Sequence, residues 1–334
     1  MRESVEVLDL TNYHLHSLEG YHDELSESLT ELDLTANRLK EIDPRVLALP
    51  RLRVLSLRQN LFEDASDVGR LSSKATLREL ELHDNYIKEL PDLSGLTGLT
   101  KLDVSFNEIR SLSPLTTLGA QTELRGLYFA QNKLKEIEGL EALTGARVLE
   151  LGSNRIRVIQ GLETLAGLEE LWLGKNRISA IDGLSALTNL RRISLQTNRL
   201  ESMRGVGVLA GLEELYLSFN GISEIEDVAG LARLRVLDLG KNLITRVGGL
   251  AGLTQLEDLW LNDNRVDGQS WDDLQRELAD CRDSLVSLYL ERNPVAAALA
   301  AEEGGYEQRA FAAFPKLDQL DSDKFRHGTV GDRA

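Results

Sequence analysis

The chain has 334 residues, 42% of them hydrophobic, and a formal net charge of −16. The hydrophobic fraction is enough for a packed core and excludes global disorder. The acidic charge argues against nucleic acid or an anionic membrane as a partner, because phosphate groups are bound by clustered Lys and Arg. Cys281 is the single cysteine, so no intramolecular disulfide is expected.

Two further observations concern the cellular location. No segment approaches the ~20 consecutive apolar residues of a membrane span, and residues 1–20 contain no apolar run like that of a secretory signal. We therefore expect a nuclear and cytoplasmic protein.

The first predicted element, residues 1–28, is a degenerate capping repeat. It contains VEVLDLTNYHL (residues 5–15), in which Tyr13 stands where the later copies of this pattern carry an asparagine. A repeat at the end of a stack lacks one neighbour, so deviation from the consensus is expected there.

Residues 29–295 contain about twelve copies of the pattern L-x-x-L-x-L-x-x-N, which is the leucine-rich-repeat signature. The asparagines are Asn37, Asn60, Asn85, Asn107, Asn132, Asn154, Asn176, Asn198, Asn220, Asn242, Asn264 and Asn293. Each L-x-L predicts a short strand with inward leucines, and the asparagine amide satisfies backbone groups at the turn that follows. The fold class is therefore α/β: a leucine-rich-repeat solenoid with a concave parallel sheet, capped at both ends.

The convex side is predicted to consist of short helical or 3₁₀ returns, such as AIDGLSAL (residues 180–187). Two repeats, 60–85 and 107–132, are three residues longer than the 22-residue period, with the extra residues in SSKATL and TTLGAQTEL. Residues 268–284 predict a helix inserted in the last return. Residues 296–334 form the predicted C-terminal cap and tail, in which residues 306–325 fold over the open edge of the stack.

The middle residue of each L-x-L points outward on the concave face, and we call this set the outward column. It consists of Asp9, Asp33, Ser56, Glu81, Asp103, Tyr128, Glu150, Trp172, Ser194, Tyr216, Asp238, Trp260 and Tyr289. Eleven of the thirteen are acidic or aromatic, which favours a protein-binding surface over a merely solvated one: Trp and Tyr dominate binding energy, and acids select a basic partner. Asp258 lies next to this column.

Enzymatic, metal and cofactor chemistry find no support in the sequence. His14 and His16 flank a turn without further ligands, and Cys281 lacks a Cys-x-x-Cys partner and is expected to pack in the inserted helix. Residues 205–210 fit a dinucleotide-binding pattern but lie in a convex return without a βαβ unit. We expect a protein that is not an enzyme and has no catalytic, cofactor or metal site.

The residues at the variable positions of the repeats also resemble those of a known family. LDVSFN (residues 102–107), LELGSNRIRVI (149–159), LEELYLSFNGI (212–222) and LYLERNPV (288–295) occur in this order. With the closing cap, they closely resemble the regulatory subunit 7 family of protein phosphatase-1, over roughly residues 5–326. Generic repeats share the leucines but not these variable positions.

That resemblance implies a regulatory subunit that binds the catalytic subunit of protein phosphatase-1 on its concave face, with a small inhibitor protein in a ternary complex as a further implied assembly. The contact residues implied by the family are Asp103, Tyr128, Glu150, Trp172, Asp238, Asp258, Trp260 and Tyr289; Tyr216 joins them from the outward column. The alternative is an intracellular leucine-rich-repeat adaptor for a spliceosomal, cytoskeletal or axonemal partner.

Overall fold

The structure is a computed structural model that describes residues 6–118, 123–301, 305–322 and 324–325. The chain divides into two compact units, Met1–Leu171 and Trp172–Ala334. Part of the longer repeat predicted at 107–132, namely residues 119–122, lies outside the described residues, as do residues 326–334 of the predicted tail. No helix in the described part of the chain has the length and apolar character needed to cross a bilayer.

The first unit contains a parallel sheet of three-residue strands that pair in chain order. Leu8 pairs with Leu32 and Leu32 with Leu55, and the same register continues to Leu149. The strands are β1 (Val7–Asp9), β2 (Glu31–Asp33), β3 (Val54–Ser56), β4 (Glu79–Glu81), β5 (Lys101–Asp103), β6 (Gly126–Tyr128) and β7 (Val148–Glu150). The returns include helix α1 (Pro44–Ala48) and 3₁₀ helices at Ser66–Arg70 and Ser113–Leu118. Strand β8 (Glu170–Trp172) begins in this unit and ends on the first residue of the second.

The second unit repeats this arrangement and ends in a different element. Its strands are β9 (Arg192–Ser194), β10 (Glu214–Tyr216), β11 (Val236–Asp238), β12 (Asp258–Trp260), β13 (Ser287–Tyr289), β14 (Gln319–Leu320) and β15 (Lys324–Phe325). Strands β9 to β14 are parallel, and β15 pairs antiparallel with β14. The helices are α2 (Trp271–Glu277), α3 (Pro294–Ala300) and α4 (Gly305–Ala313), with a 3₁₀ helix at Val206–Val208. Both units have the predicted fold, so the leucine-rich-repeat prediction is confirmed.

The asparagine ladder connects each repeat to the one before it, as Asn242 illustrates. Its Nδ2 donates to the carbonyl oxygens of Leu217 (3.0 Å), Leu239 (3.0 Å) and Gly240 (3.3 Å), and its Oδ1 accepts from the N–H of Ile222 (3.1 Å). The side chain is buried, so these bonds satisfy backbone groups that water does not reach. The predicted role of the ladder is confirmed.

A left-handed residue precedes each ladder asparagine and turns the chain out of the strand. In the second unit these residues include Thr197 (φ 57°), Phe219 (φ 58°), Lys241 (φ 53°) and Asp263 (φ 56°). None of them is glycine, although this region of backbone conformation disfavours side chains. The hydrogen bonds of the asparagine side chain hold the turn in place, and they offset the conformational free energy that a positive φ costs a residue other than glycine.

The returns are less helical than the sequence predicts. Residues 180–187 contain no helix: the N–H of Leu187 donates to the carbonyl of Leu184 (3.0 Å), forming an isolated turn. Gly183, with φ 71°, interrupts any helix there. The equivalent Gly139 (φ 73°) also packs tightly, because a Cβ at this position would lie 2.5 Å from the carbonyl oxygen of Leu112.

The inserted helix α2 is shorter than the predicted range 268–284. Ser270 and Asp273 form a capping box that fixes its start, and turns replace the helix after Glu277. Cys281 therefore lies beyond the helix rather than within it. Its thiol is buried and donates to the carbonyl oxygen of Leu278 (3.3 Å), and burial raises its pKa to about 11.

The C-terminal elements cover the last repeat through one buried carboxylate. Asp321 Oδ1 accepts from the N–H groups of Leu290 and Glu291, both at 2.7 Å, while its Oδ2 accepts from the hydroxyl of Tyr306. Tyr306 lies at the start of α4 and is buried. Asp321 therefore takes over backbone groups that a further repeat would otherwise have paired.

Candidate protein-binding face

Each three-residue strand of the second unit points its central side chain into the core and its two flanking side chains outward. Leu215, Leu237 and Leu259 are fully buried, and the outward column follows as the last residue of each strand. Strand pairing places Tyr216 beside Asp238, Asp238 beside Trp260, and Trp260 beside Tyr289. The first residues of the strands, including Glu214 and Asp258, form a second outward column alongside it.

Four aromatic side chains in the second unit, which we call the aromatic stripe, pack in two pairs: Trp172, Tyr216, Trp260 and Tyr289. The rings of Trp172 and Tyr216 stack with centroids 6.3 Å apart, and those of Trp260 and Tyr289 meet edge to face at 6.1 Å. Ser194, the column residue between Trp172 and Tyr216, is small enough for them to meet. The four side chains point outward but are half-buried, because each ring covers part of its partner.

Tyr216 is held in place by a polar network. Its hydroxyl donates to Glu214 Oε2 (2.9 Å), and Glu214 Oε1 accepts from Arg192 Nε (3.0 Å). Burial, followed by the bond to Glu214, raises the pKa of Tyr216 to about 12. The phenol therefore stays a neutral donor at physiological pH and its ring is fixed within the stripe.

Asp238 departs from the expectation of an outward, available charge. Only 5% of its surface is exposed. Its Oδ1 accepts from the N–H of Gly240 (3.0 Å), and its Oδ2 accepts from Gln196 Nε2 (2.8 Å). Because both carboxylate oxygens are engaged within the protein, Asp238 serves as a spacer between Tyr216 and Trp260 rather than as a free contact. Its assignment as a contact residue stays a prediction.

Asp258 and Trp260 occupy the two ends of β12. Asp258 is half-buried, and its Oδ1 accepts from the hydroxyl of Ser287. Nε1 of Trp260 is buried and has no hydrogen-bond partner among the described residues. A buried donor without a partner costs about 1–3 kcal/mol, so an acceptor that came within reach of this N–H would be stabilising.

The candidate residues of the first unit are Asp103, Tyr128 and Glu150. The Tyr128 ring lies over Gly126, since a Cβ there would approach its Cε2 to 2.8 Å, and burial raises the pKa of Tyr128. Asp103 is half-buried, with its Oδ2 3.9 Å from Nδ1 of His83. Burial raises the pKa of Glu150 to about 7, although the N–H of Gly152 donates to it and acts in the opposite direction.

Acidic residues in the outward column also have a local structural role that the sequence interpretation missed. In five of the six, all except Glu81, a carboxylate oxygen accepts the backbone N–H two residues later, which forms an Asx-type turn at the strand end. The bonds are Thr11 N to Asp9 (2.9 Å), Thr35 N to Asp33 (2.8 Å), Ser105 N to Asp103 (2.9 Å), Gly152 N to Glu150 (2.7 Å) and Gly240 N to Asp238 (3.0 Å). The acidic character of the column therefore reflects turn formation as well as surface charge.

Sequence reasoning also overlooked Gln196, Arg192 and Glu214, which position the column. Arg192 and Glu214 could have been found from the sequence: side chains alternate along a strand, so the first residue of each three-residue strand points outward as the last one does. Among the residues that the structure describes, no group of three or more His, Cys, Asp or Glu is arranged to hold a metal ion.

Glu150 gives a prediction about pH. Its folded-state pKa of about 7 lies above its ordinary value of 4.5, so the folded chain retains a proton that the unfolded chain loses between these values. The contribution of Glu150 to the free energy of unfolding is therefore fully present below about pH 4.5 and is lost as the pH rises through 7. We expect Glu150→Gln to match the parent near pH 4 and to be more stable by about 1–3 kcal/mol at pH 8. Urea unfolding at both pH values measures this, and an equal difference at both would contradict it.

Comparisons with known proteins place the chain among leucine-rich-repeat proteins. The family model described as "Leucine rich repeat" matches residues 27–87 and 210–266. The model described as "Leucine Rich repeats (2 copies)" matches residues 75–117, 147–186 and 167–206.

Several solved structures share the fold. An internalin of Listeria monocytogenes has a TM-score of 0.81 at 26% identity, covering 96% of this chain and 88% of that one. A leucine-rich-repeat protein of Leptospira interrogans has a TM-score of 0.66 at 22% identity, covering 94% and 95%. At 22% identity, the similarity to the Leptospira interrogans protein shows a shared fold and nothing more.

Two curated proteins match in sequence. The chain is 46% identical over 106 residues to the protein phosphatase 1 regulatory inhibitor subunit PPP1R7 homolog of Arabidopsis thaliana. It is 37% identical over 108 residues to the protein phosphatase 1 regulatory subunit SDS22 of Saccharomyces cerevisiae. Each match covers 31% of this chain and 32% of the relative, so the aligned segments span about a third of the length of the curated relatives. Over these segments the resemblance inferred from the repeats is confirmed.

Proposed function

We propose that this chain, which belongs to the regulatory subunit 7 family of leucine-rich-repeat proteins, is a non-catalytic regulatory subunit of protein phosphatase 1. The observation that carries the proposal is the 46% identity to a relative named as a phosphatase 1 regulatory inhibitor subunit. A repeat scaffold presents a surface rather than a reactive cleft, which agrees with a role in binding and control.

The sheet face is the proposed contact surface, and within the second unit the aromatic stripe is its centre. Two features support this. The four rings are pre-positioned by mutual packing, which lowers the entropic cost of binding, and the buried N–H of Trp260 lacks an acceptor among the described residues. In the first unit, Asp103, Tyr128 and Glu150 occupy equivalent positions on their strands, and we propose contacts there as well.

Binding of the purified full chain to the purified catalytic subunit of protein phosphatase 1 tests the proposal. Isothermal titration calorimetry should give saturable binding of one chain per catalytic subunit, and the same mixtures should show altered hydrolysis of a phosphopeptide. A folded chain that produces no binding heat and leaves hydrolysis unchanged would sink the proposal, leaving an adaptor for another intracellular protein as the alternative.

Two finer points accompany this function. We propose that the chain also assembles with the phosphatase and a small inhibitor protein, and that it acts in the nucleus and cytoplasm. Size-exclusion chromatography of the three purified proteins tests the first point, and imaging of the fluorescently tagged chain tests the second. Separate elution of the inhibitor, or exclusion of the tagged chain from both compartments, would contradict them.

A further inference from the structure

A second surface of the second unit lies on the turns that follow the strands, and we call it the turn strip: Arg177, Arg199, Phe219, Lys241, Leu243 and Arg265. Its residues stand immediately before or after a ladder asparagine. The backbone N–H groups of Arg199, Leu243 and Arg265 each donate to a carbonyl of the preceding repeat at 2.8 Å. Successive turns are therefore held one strand spacing apart, about 5 Å, and form a fixed array.

The turn strip is positively charged in an acidic protein. Arg177, Arg199 and Arg265 are exposed, and among the residues that the structure describes they form no ion pair. Several other arginines of the unit form ion pairs, as in the contact between Arg235 and Glu257 at 2.6 Å. Asp263, beside the strip, is likewise neutralised by Arg292 at 2.6 Å. The strip therefore presents unneutralised positive charge although the whole chain carries −16.

An apolar centre lies between these charges. The Phe219 ring is 53% exposed and the Leu243 side chain 37%, and Lys241 Nζ lies 4.7 Å from the centroid of the ring. Gly221, which follows the ladder residue Asn220 as Leu243 follows Asn242, contributes no side chain, and a Cβ there would lie 3.8 Å from Cγ of Glu201. Neither apolar side chain adds to the core, so the burial available to them is against another molecule.

We infer that the turn strip is a second protein-binding surface, whose ligand is an extended acidic segment of a partner protein carrying a bulky apolar residue. Acidic side chains would pair with the arginines, and the apolar residue would cover Phe219 and Leu243 beside Gly221. The apolar centre and the repulsive charge of the whole chain disfavour nucleic acid and anionic membranes. This surface is separate from the aromatic stripe and does not depend on the proposed phosphatase function.

The test uses the full chain and fluorescein-labelled peptides, with binding followed by fluorescence anisotropy. One short peptide contains aspartate and glutamate around a central Leu-Phe pair, and a second replaces that pair with Ala-Ala. The first should bind more tightly. Arg199→Glu combined with Arg265→Glu should weaken binding of both peptides about tenfold or more. Phe219→Ala should reduce the affinity for the Leu-Phe peptide to that for the Ala-Ala peptide.

Arg233→Glu is the matched control, because Arg233 is exposed in a return and makes no ion pair among the described residues. It should leave binding unchanged. The proposal fails if neither peptide binds, if the strip variants bind as the parent does, or if Trp260→Ala abolishes peptide binding instead. Tighter binding to a single-stranded oligonucleotide or to phosphatidylserine vesicles would also overturn it. Circular dichroism of each variant separates loss of the surface from loss of the fold.

Discussion

Replacement of Trp260 by alanine is expected to weaken binding of protein phosphatase 1 by about 2–4 kcal/mol, which is roughly 30- to 1000-fold in Kd. The substitution removes the half-buried indole, its edge-to-face contact with Tyr289 at 6.1 Å, and a buried N–H that lacks a partner among the described residues. Trp260→Phe is a milder change, because it retains one aromatic ring and removes the donor together with the second ring of the indole. If the N–H gains an acceptor on binding, Trp260→Phe should also lose affinity, by a smaller factor.

Calorimetric titration of the folded variants against the catalytic subunit measures both effects. Phe219→Ala is the matched control: it removes a more exposed aromatic ring from the same unit, but from the turn strip rather than from the sheet face. It should leave phosphatase binding unchanged. Parent-like affinity for a folded Trp260→Ala chain, or an equal loss for Phe219→Ala, would show that the stripe is not the contact surface. Failure of the parent chain to bind would instead refute the phosphatase function itself.

Replacement of Asn242 by alanine is expected to lower the free energy of unfolding by about 3 kcal/mol. Three carbonyl oxygens lose their donor and the N–H of Ile222 loses its acceptor, all in a buried environment where an unpaired polar group costs about 1–3 kcal/mol. Asn242→Asp should be at least as destabilising at neutral pH, because an acceptor then faces the same carbonyls. Urea unfolding followed by circular dichroism gives the midpoints.

Asn262 supplies the control for the ladder prediction. It lies in the same unit, is half-buried, and its Nδ2 donates to the side chain of the adjacent Asp263 (2.8 Å) rather than to a neighbouring repeat. Asn262→Ala should therefore change stability by less than about 1 kcal/mol. Similar midpoints for the Asn242 and Asn262 variants would mean that the ladder bonds contribute little beyond local turn formation.

The sequence predicted the repeat architecture because leucine and asparagine recur at fixed spacing, and each has one geometric role. The 22-residue period alone implies that Leu215, Leu237 and Leu259 stack in register, as they do. The predicted helix at 268–284 was too long, since the capping box at Ser270 fixes its start but no local signal in that prediction marked its end. The helical content of the returns was overestimated where glycines such as Gly183 have positive φ.

The candidate site was predictable in position but not in detail. Alternation along a strand places Trp172, Trp260 and Asp238 on the outer face, and it carries no information about which neighbour covers them. The burial of Asp238 depends on a hydrogen bond from Gln196 that crosses an intervening repeat, and the buried N–H of Trp260 depends on how its ring packs. These side-chain contacts do not recur from repeat to repeat, so the repeat period does not predict them.

The repeated register also makes the number of repeats a variable that evolution changes independently of side chains. Leu215 pairs with Leu237 and Leu237 with Leu259, so the chain advances 22 residues for each strand. Loss of residues 221–242 by recombination would join Asn220 to Leu243 with the consensus intact, and would bring Tyr216 and Trp260 onto adjacent strands, about 5 Å apart. Duplication of the same segment would move them one strand further apart. The distance between aromatic side chains along the sheet therefore changes in steps of one strand spacing. Gain or loss of a repeat can in this way fit such a protein to a differently shaped partner without a single substitution.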